Sequence, residues 1–191
     1  MRVLPMLFNT EMVKAILDGR KTCTRRLVKF LPGKNPQWTG YIKDGLMLYN
    51  GKNEPCIRKA PYQSGDILYV RETWSEWTDG YLYKAWTEPF PQPGQFPEIK
   101  WKPSIHMPKE AARIWLKVTN VRVERLQDIM KEEPGPNCQV VKEGVRYGCD
   151  FIAVWNSTIK ESDRVVYGWD ANPYVWAIEF ERCQGRSSNG R

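Results

Sequence analysis

The sequence is poor in histidine and has no close pair of cysteines. His106 is its only histidine, and the five cysteines, at 23, 56, 138, 149 and 183, form no C-x-x-C pair. A zinc site needs closely spaced ligands, so no metal centre is expected. An odd number of cysteines without a framework spacing predicts reduced thiols and a cytoplasmic setting. No apolar run approaches the ~20 residues that a helix needs to span a bilayer, so no membrane partner is expected. The N-terminus has one arginine and then Pro5 inside a short apolar run, with no small-residue cleavage site, and no signal peptide is expected. There is no internal repeat, no phosphate-binding glycine loop, no G-x-S-x-G and no H-E-x-x-H. Nothing in the chain calls for a cofactor.

What is present is a chain of 191 residues with a core-forming composition. The hydrophobic fraction is 41% and the aromatic fraction 13%, which excludes a disordered chain. The length suits one domain, expected over 1–183, followed by a disordered polar tail over 184–191. Lys and Arg number 29 against 22 Asp and Glu, a net charge of +7, and the pI is near 9.2. That surplus fits a polyanionic partner such as nucleic acid. A monomer is the expected state.

The patterning predicts a helix over 10–18, with Thr10 as N-cap and Gly19 as its left-handed terminator. The basic stretch from Arg20 to Arg26 reads as irregular. Residues 41–49 read as a small hairpin across Lys43-Asp44-Gly45. A strand is expected over 67–74, with a hairpin partner over 81–86. Six of the 14 prolines lie between 89 and 108, so a long surface loop is expected there. A strand over 114–123, short helices over 126–133 and 151–159, and a closing strand over 174–180 complete the reading. Irregularly spaced strands with short helices argue for one α+β domain around a small barrel rather than a doubly wound sheet.

Four segments resemble a known family in its expected order. Gly19-Arg20-Lys21-Thr22-Cys23-Thr24-Arg25-Arg26, directly after a short helix, resembles the signature of the ASCH domain, a branch of the PUA-like superfamily. Gln63 to Val70 resembles its turn and first barrel strand. Arg122 to Ile129 resembles the strand that runs into a short helix, and Tyr174 to Phe180 its final strand. Arg71-Glu72-Thr73-Trp74 and Gly168 to Pro173 are similar to segments of small ASCH proteins carried by phages and prophages. The stretches at 28–60 and 86–108 read as additions to a minimal domain.

The resemblance implies a small β-barrel with short helices at its mouth, Pro-rich insertions, and a cleft that holds RNA or a modified nucleoside. One branch of the family hydrolyses the acetyl amide of N4-acetylcytidine, with a lysine base, a threonine nucleophile and a glutamate acid. Carried over, the base is Lys21, the nucleophile Thr24 and the acid Glu143, with Glu132 or Glu133 as alternatives. The rival expectation is a non-catalytic RNA-binding or phage regulatory module using the same cleft.

A threonine hydroxyl needs a neighbouring base, and a lysine can serve only as the neutral amine. The cations Arg20, Arg25 and Arg26 favour that form, and they also suit phosphate contacts. Arg71 and Glu72 fall at a strand end, where an arginine could hold a phosphate and a glutamate accept from a cytosine amino group. Trp74, with Trp77, Trp86 and Trp101, is a candidate stacking platform for bases.

Overall fold

The computed structural model describes residues 1–34, 41–86, 99–131 and 138–185. In chain order the strands and α-helices are β1 (Val3–Leu7), α1 (Thr10–Leu17), β2 (Cys23–Leu27), β3 (Tyr41–Lys43), β4 (Met47–Tyr49), β5 (Ile67–Arg71), β6 (Trp74–Trp77), β7 (Gly80–Tyr83), β8 (Trp115–Arg125), α2 (Gln139–Lys142), α3 (Gly148–Thr158), α4 (Arg164–Tyr167) and β9 (Tyr174–Cys183). The architecture is mixed α+β. The strand order of the main sheet is β1-β5-β8-β9-β2, and β3-β4 and β6-β7 are separate hairpins. Among the described residues no pairing joins β1 to β2, so the expected closed barrel is replaced by an open ladder. Pro5 suits the edge position of β1, because it has no N–H to donate to a further strand. No described helix is long and apolar enough to cross a membrane.

The chain gathers into two compact units. The first holds Met1–Gly19, Gly65–Lys117 and the chain from Glu181 onward; the second holds Arg20–Ser64 and Val118–Phe180. The long strands β8 and β9 contribute residues to both.

In the first unit β1 pairs parallel with β5, and β5 antiparallel with the start of β8. Helix α1 buries Val13, Ala15 and Ile16 on one side. Its N-cap is Asn9 rather than Thr10. The Asn9 side chain accepts from Met12 N–H at 2.8 Å, satisfying a donor that the first turn leaves unpaired. Gly19 ends the helix with φ near +75°, as the sequence predicts. The expected strand over 67–74 breaks after Arg71, and Trp74 opens the β6-β7 hairpin instead. Most of the expected proline-rich loop, 87–98, lies outside the described residues. Beyond it are two short 3-10 turns, Ser104–His106 and Lys109–Ala111.

In the second unit β2 pairs antiparallel with β9, from Cys23 opposite Glu179 to Leu27 opposite Val175. The predicted β3-β4 hairpin forms with Asp44 and Gly45 both at positive φ, the twist that tight hairpin loops require. The core is Leu126, Ile129, Val140, Phe151, Trp155 and Val175, with Leu27, Cys138 and Trp169 packed against it. Burying each large side chain here contributes about 1.5–3 kcal/mol. The predicted helix after β8 is a 3-10 helix, Leu126–Met130. The expected tail lies outside the described residues from 186 on.

Candidate functional site

Residues 20–27 are the part of the chain where the structure departs most from the sequence reading. The stretch expected to be irregular is a strand, and its register with β9 is continuous. Side chains along a strand alternate between its two faces. Cys23 and Arg25 therefore share one face of β2, while Thr24 and Arg26 take the other.

On the Cys23 and Arg25 face lies an alternating run of charges. Lys21 forms an antiparallel bridge with Glu143, and Thr22 N–H donates to Lys142 O at 2.9 Å. The Lys21 ammonium donates to Glu143 Oε2 at 2.6 Å, to Glu143 O at 2.9 Å and to Cys23 O at 2.8 Å. Three acceptors match the three donors of an ammonium. Arg25 Nη1 donates to the other oxygen of Glu143 at 2.9 Å, and its Nε to Glu124 Oε1 at 2.9 Å. Glu124 Oε2 accepts from Arg122 Nε at 2.7 Å, and Arg122 Nη1 reaches Glu179 at 2.6 Å. Gln139 Oε1 accepts from both Arg25 and Arg122.

The series Lys21, Glu143, Arg25, Glu124, Arg122, Glu179 holds three cations and three carboxylates. Its side-chain exposure runs from 0% at Lys21 and 5% at Glu143 to 27% at Arg122 and Glu179, so the charges that cost most to desolvate lie at one end of the run, where each is paired. Burial pulls the Arg25 guanidinium down, but Glu143, Cys23 and Glu124 outweigh it and leave its pKa raised. Cys23 sits among these groups with no exposed surface. Burial first, and then Glu143, push its thiol up to about 12.

The residues carried over from the resemblance are thus only partly brought together. Lys21 and Glu143 meet. Thr24 is buried too, at 3% exposure, but it lies opposite Ile178 on the other face of β2. Arg26 is half-buried on that face, and its pKa is lowered by burial against the opposing effect of Tyr62. Arg20 is exposed and donates to Gly144 O at 2.9 Å. Glu132 and Glu133 lie outside the described residues.

The other expected contacts belong to the first unit. Glu72 is 1% exposed, and Arg113 grips its carboxylate with both Nε, at 2.9 Å, and Nη2, at 3.0 Å. It is therefore already committed and does not offer an acceptor to a base. The Arg113 guanidinium in turn lies 4.2 Å from the ring centre of Tyr83. Arg71 is half-buried and donates through Nη2 to Ile105 O. Trp74 is 3% exposed, with Lys102 Nζ 4.9 Å from its ring centre, so it is a core residue and not an open stacking platform. Trp86, at 44% exposure, is an open ring beside Tyr83. Among the described residues no group of His, Cys, Asp and Glu is placed to hold a metal.

Sequence reasoning missed Arg122, Glu124, Gln139 and Glu179. Arg122 and Glu124 two apart on a strand were a readable signal for one face; Gln139 and Glu179 carried none. The second unit also holds a half-open cavity of about 470 Å³, lined by Leu27, Val28, Lys29, Phe30, Leu31, Lys34 and Tyr167. Charge is concentrated in the same stretch of chain. Residues 20–64 hold ten Lys and Arg against two Asp and Glu, a surplus of eight where the whole chain has seven. No known family model, curated protein or solved structure matches the chain.

Proposed function

We propose that this protein binds single-stranded RNA, or a nucleoside unit of it, through the basic surface of residues 20–64, and that it does so as a PUA-like ASCH domain without amidohydrolase activity. The observation that carries this reading is where the surplus charge lies. Lys21 and Arg25 are neutralised by Glu143 and Glu124 from outside this stretch, which leaves eight Lys and Arg against two Asp and Glu, a surplus of six. Arg20, Lys29, Lys43, Lys52, Arg58 and Lys59 are exposed. Exposed cations in excess of local carboxylates are what a phosphate backbone neutralises.

Hydrolysis needs Lys21 as a neutral amine in reach of the Thr24 hydroxyl. The ammonium is instead enclosed by three acceptors, and Thr24 is out of phase with it. That geometry supports binding over catalysis.

The test is fluorescence anisotropy with a labelled single-stranded RNA over a series of salt concentrations, beside an assay of acetate release from N4-acetylcytidine. The expected result is affinity that falls steeply with salt, weakened by Lys29→Glu, Arg58→Glu and Lys59→Glu together, and no acetate release. Salt-independent binding, or none at low salt, overturns the reading. Turnover lost in Thr24→Val restores the amidohydrolase.

A further inference from the structure

We infer that the cavity after β2 is a nucleobase subsite, which takes one base of a single-stranded nucleic acid with its phosphate at the rim; this rests on the RNA-binding reading above. The volume of about 470 Å³ falls in the range that small-molecule sites occupy, about 300–1,000 Å³. Its wall is rigid. Val28 N–H donates to Tyr174 O at 3.1 Å, Leu31 N–H to Cys56 O at 2.9 Å and Arg58 N–H to Lys29 O at 3.0 Å, so the segment 28–31 is held from two sides. Tyr167 closes the cavity from α4, and its carbonyl is held by the Trp155 indole N–H at 2.9 Å.

The lining selects a ligand by its chemistry. Leu27, Val28 and Leu31 give an apolar wall that cannot solvate a charge. Phe30 and Tyr167 add two half-buried aromatic side chains to the lining, and an aromatic ring is the kind of surface on which a base stacks. Lys29 is exposed, and Lys34 makes an exposed pair with Glu54 at 3.2 Å, which a phosphate can replace. A ligand that satisfies all of these has a flat apolar body and an anionic end. Inorganic phosphate leaves the apolar wall uncovered, and a hydrocarbon chain makes no use of the two lysines. A nucleoside monophosphate meets both demands.

The experiment is calorimetric titration of the full chain with adenosine and cytidine 5′-monophosphates, ribose 5-phosphate and inorganic phosphate, in parallel with RNA anisotropy. The monophosphates are expected to bind at least tenfold more tightly than ribose 5-phosphate or phosphate. Tyr167→Leu is expected to weaken the monophosphates about fivefold or more while keeping the salt dependence of RNA binding, and Tyr167→Phe to retain affinity because the ring remains. Circular dichroism melts check that both variants fold. Equal binding of ribose 5-phosphate and a monophosphate overturns the subsite, as does Tyr167→Leu with unchanged affinity in a folded protein. If RNA binds with a steep salt dependence while monophosphates do not bind, this inference alone fails. If RNA does not bind at all, the reading beneath it fails as well.

Discussion

Lys21 and Glu143, 122 positions apart in sequence, are joined three times: by a backbone bridge, by ammonium to carboxylate at 2.6 Å, and by ammonium to the Glu143 carbonyl at 2.9 Å. Each end is buried, so neither charge has water to fall back on. The pair fastens the start of β2 to the end of α2, where cations also complement the exposed carbonyls of a helix end.

Removing one partner should therefore be costly. Glu143→Ala leaves Lys21 and Arg25 buried without their shared carboxylate, and urea melts should show a destabilisation of about 3–5 kcal/mol. Lys21→Met with Glu143→Leu should cost less than Glu143→Leu alone, because Arg25 keeps Glu124 at 2.7 Å. Additive effects would show that the pair is not coupled. A lysine on an exposed rim can be truncated at little cost; Lys21, at 2% exposure, cannot.

The cysteines should differ sharply in reactivity. Cys149 is exposed and Cys23 fully buried, with its thiol raised from the ordinary 9.0 to about 12. Iodoacetamide at pH 8 should label Cys149 in the folded protein and Cys23 only after denaturation. The raised value also sets a sign. The stability that Cys23 contributes by staying protonated is fully present below about pH 9 and is lost as pH rises through about 12. Melts at pH 8 and pH 11 should show a smaller alkaline loss in Cys23→Ala than in the wild type.

Glu72→Ala should destabilise the protein by about 2–3 kcal/mol, because it strips Arg113 of a two-point hydrogen-bonded partner while that guanidinium is only one-quarter exposed. Arg113 also lies 5.6 Å from the ring centre of the exposed Trp86, so a change in tryptophan emission should accompany the destabilisation. An unchanged melt and spectrum would show that the pair is incidental.

Every cation that neutralises a phosphate should leave its mark on the salt dependence. For a single strand the logarithmic slope should become shallower by about 0.7 for each cation removed among Lys29, Arg58 and Lys59. Lys109→Glu, an exposed change in the other unit, should leave the slope as it was.

Local chemistry made much of the fold readable. Helix α1 showed itself through Val13 and Ile16 on one face and Gly19 at its end, and the β3-β4 hairpin through Asp44-Gly45. Strands β8 and β9 were legible from their apolar content. In all of these the signal lies within a few residues, where side-chain period and backbone preference act. Strand β1 was missed because Pro5 interrupts a short run that reads as no element.

Strand β2 shows where that kind of reading stops. The run Lys21-Thr22-Cys23-Thr24-Arg25-Arg26 has no apolar alternation, because its buried face is lined with charge rather than hydrocarbon. What makes that face tenable is Glu124, Glu143 and Glu179, which lie 99 to 156 positions away. The sequence by itself determined the α+β composition, the basic surplus and the cluster of basic residues from Arg20 to Arg26. Only the tertiary structure decided that Lys21 meets Glu143 as a closed ion pair, that Thr24 faces the opposite way, and that a cavity opens beside Phe30 and Tyr167. The physical reason is range: backbone preferences act over a few residues, whereas the partner of a buried charge is chosen by the packing of the whole unit.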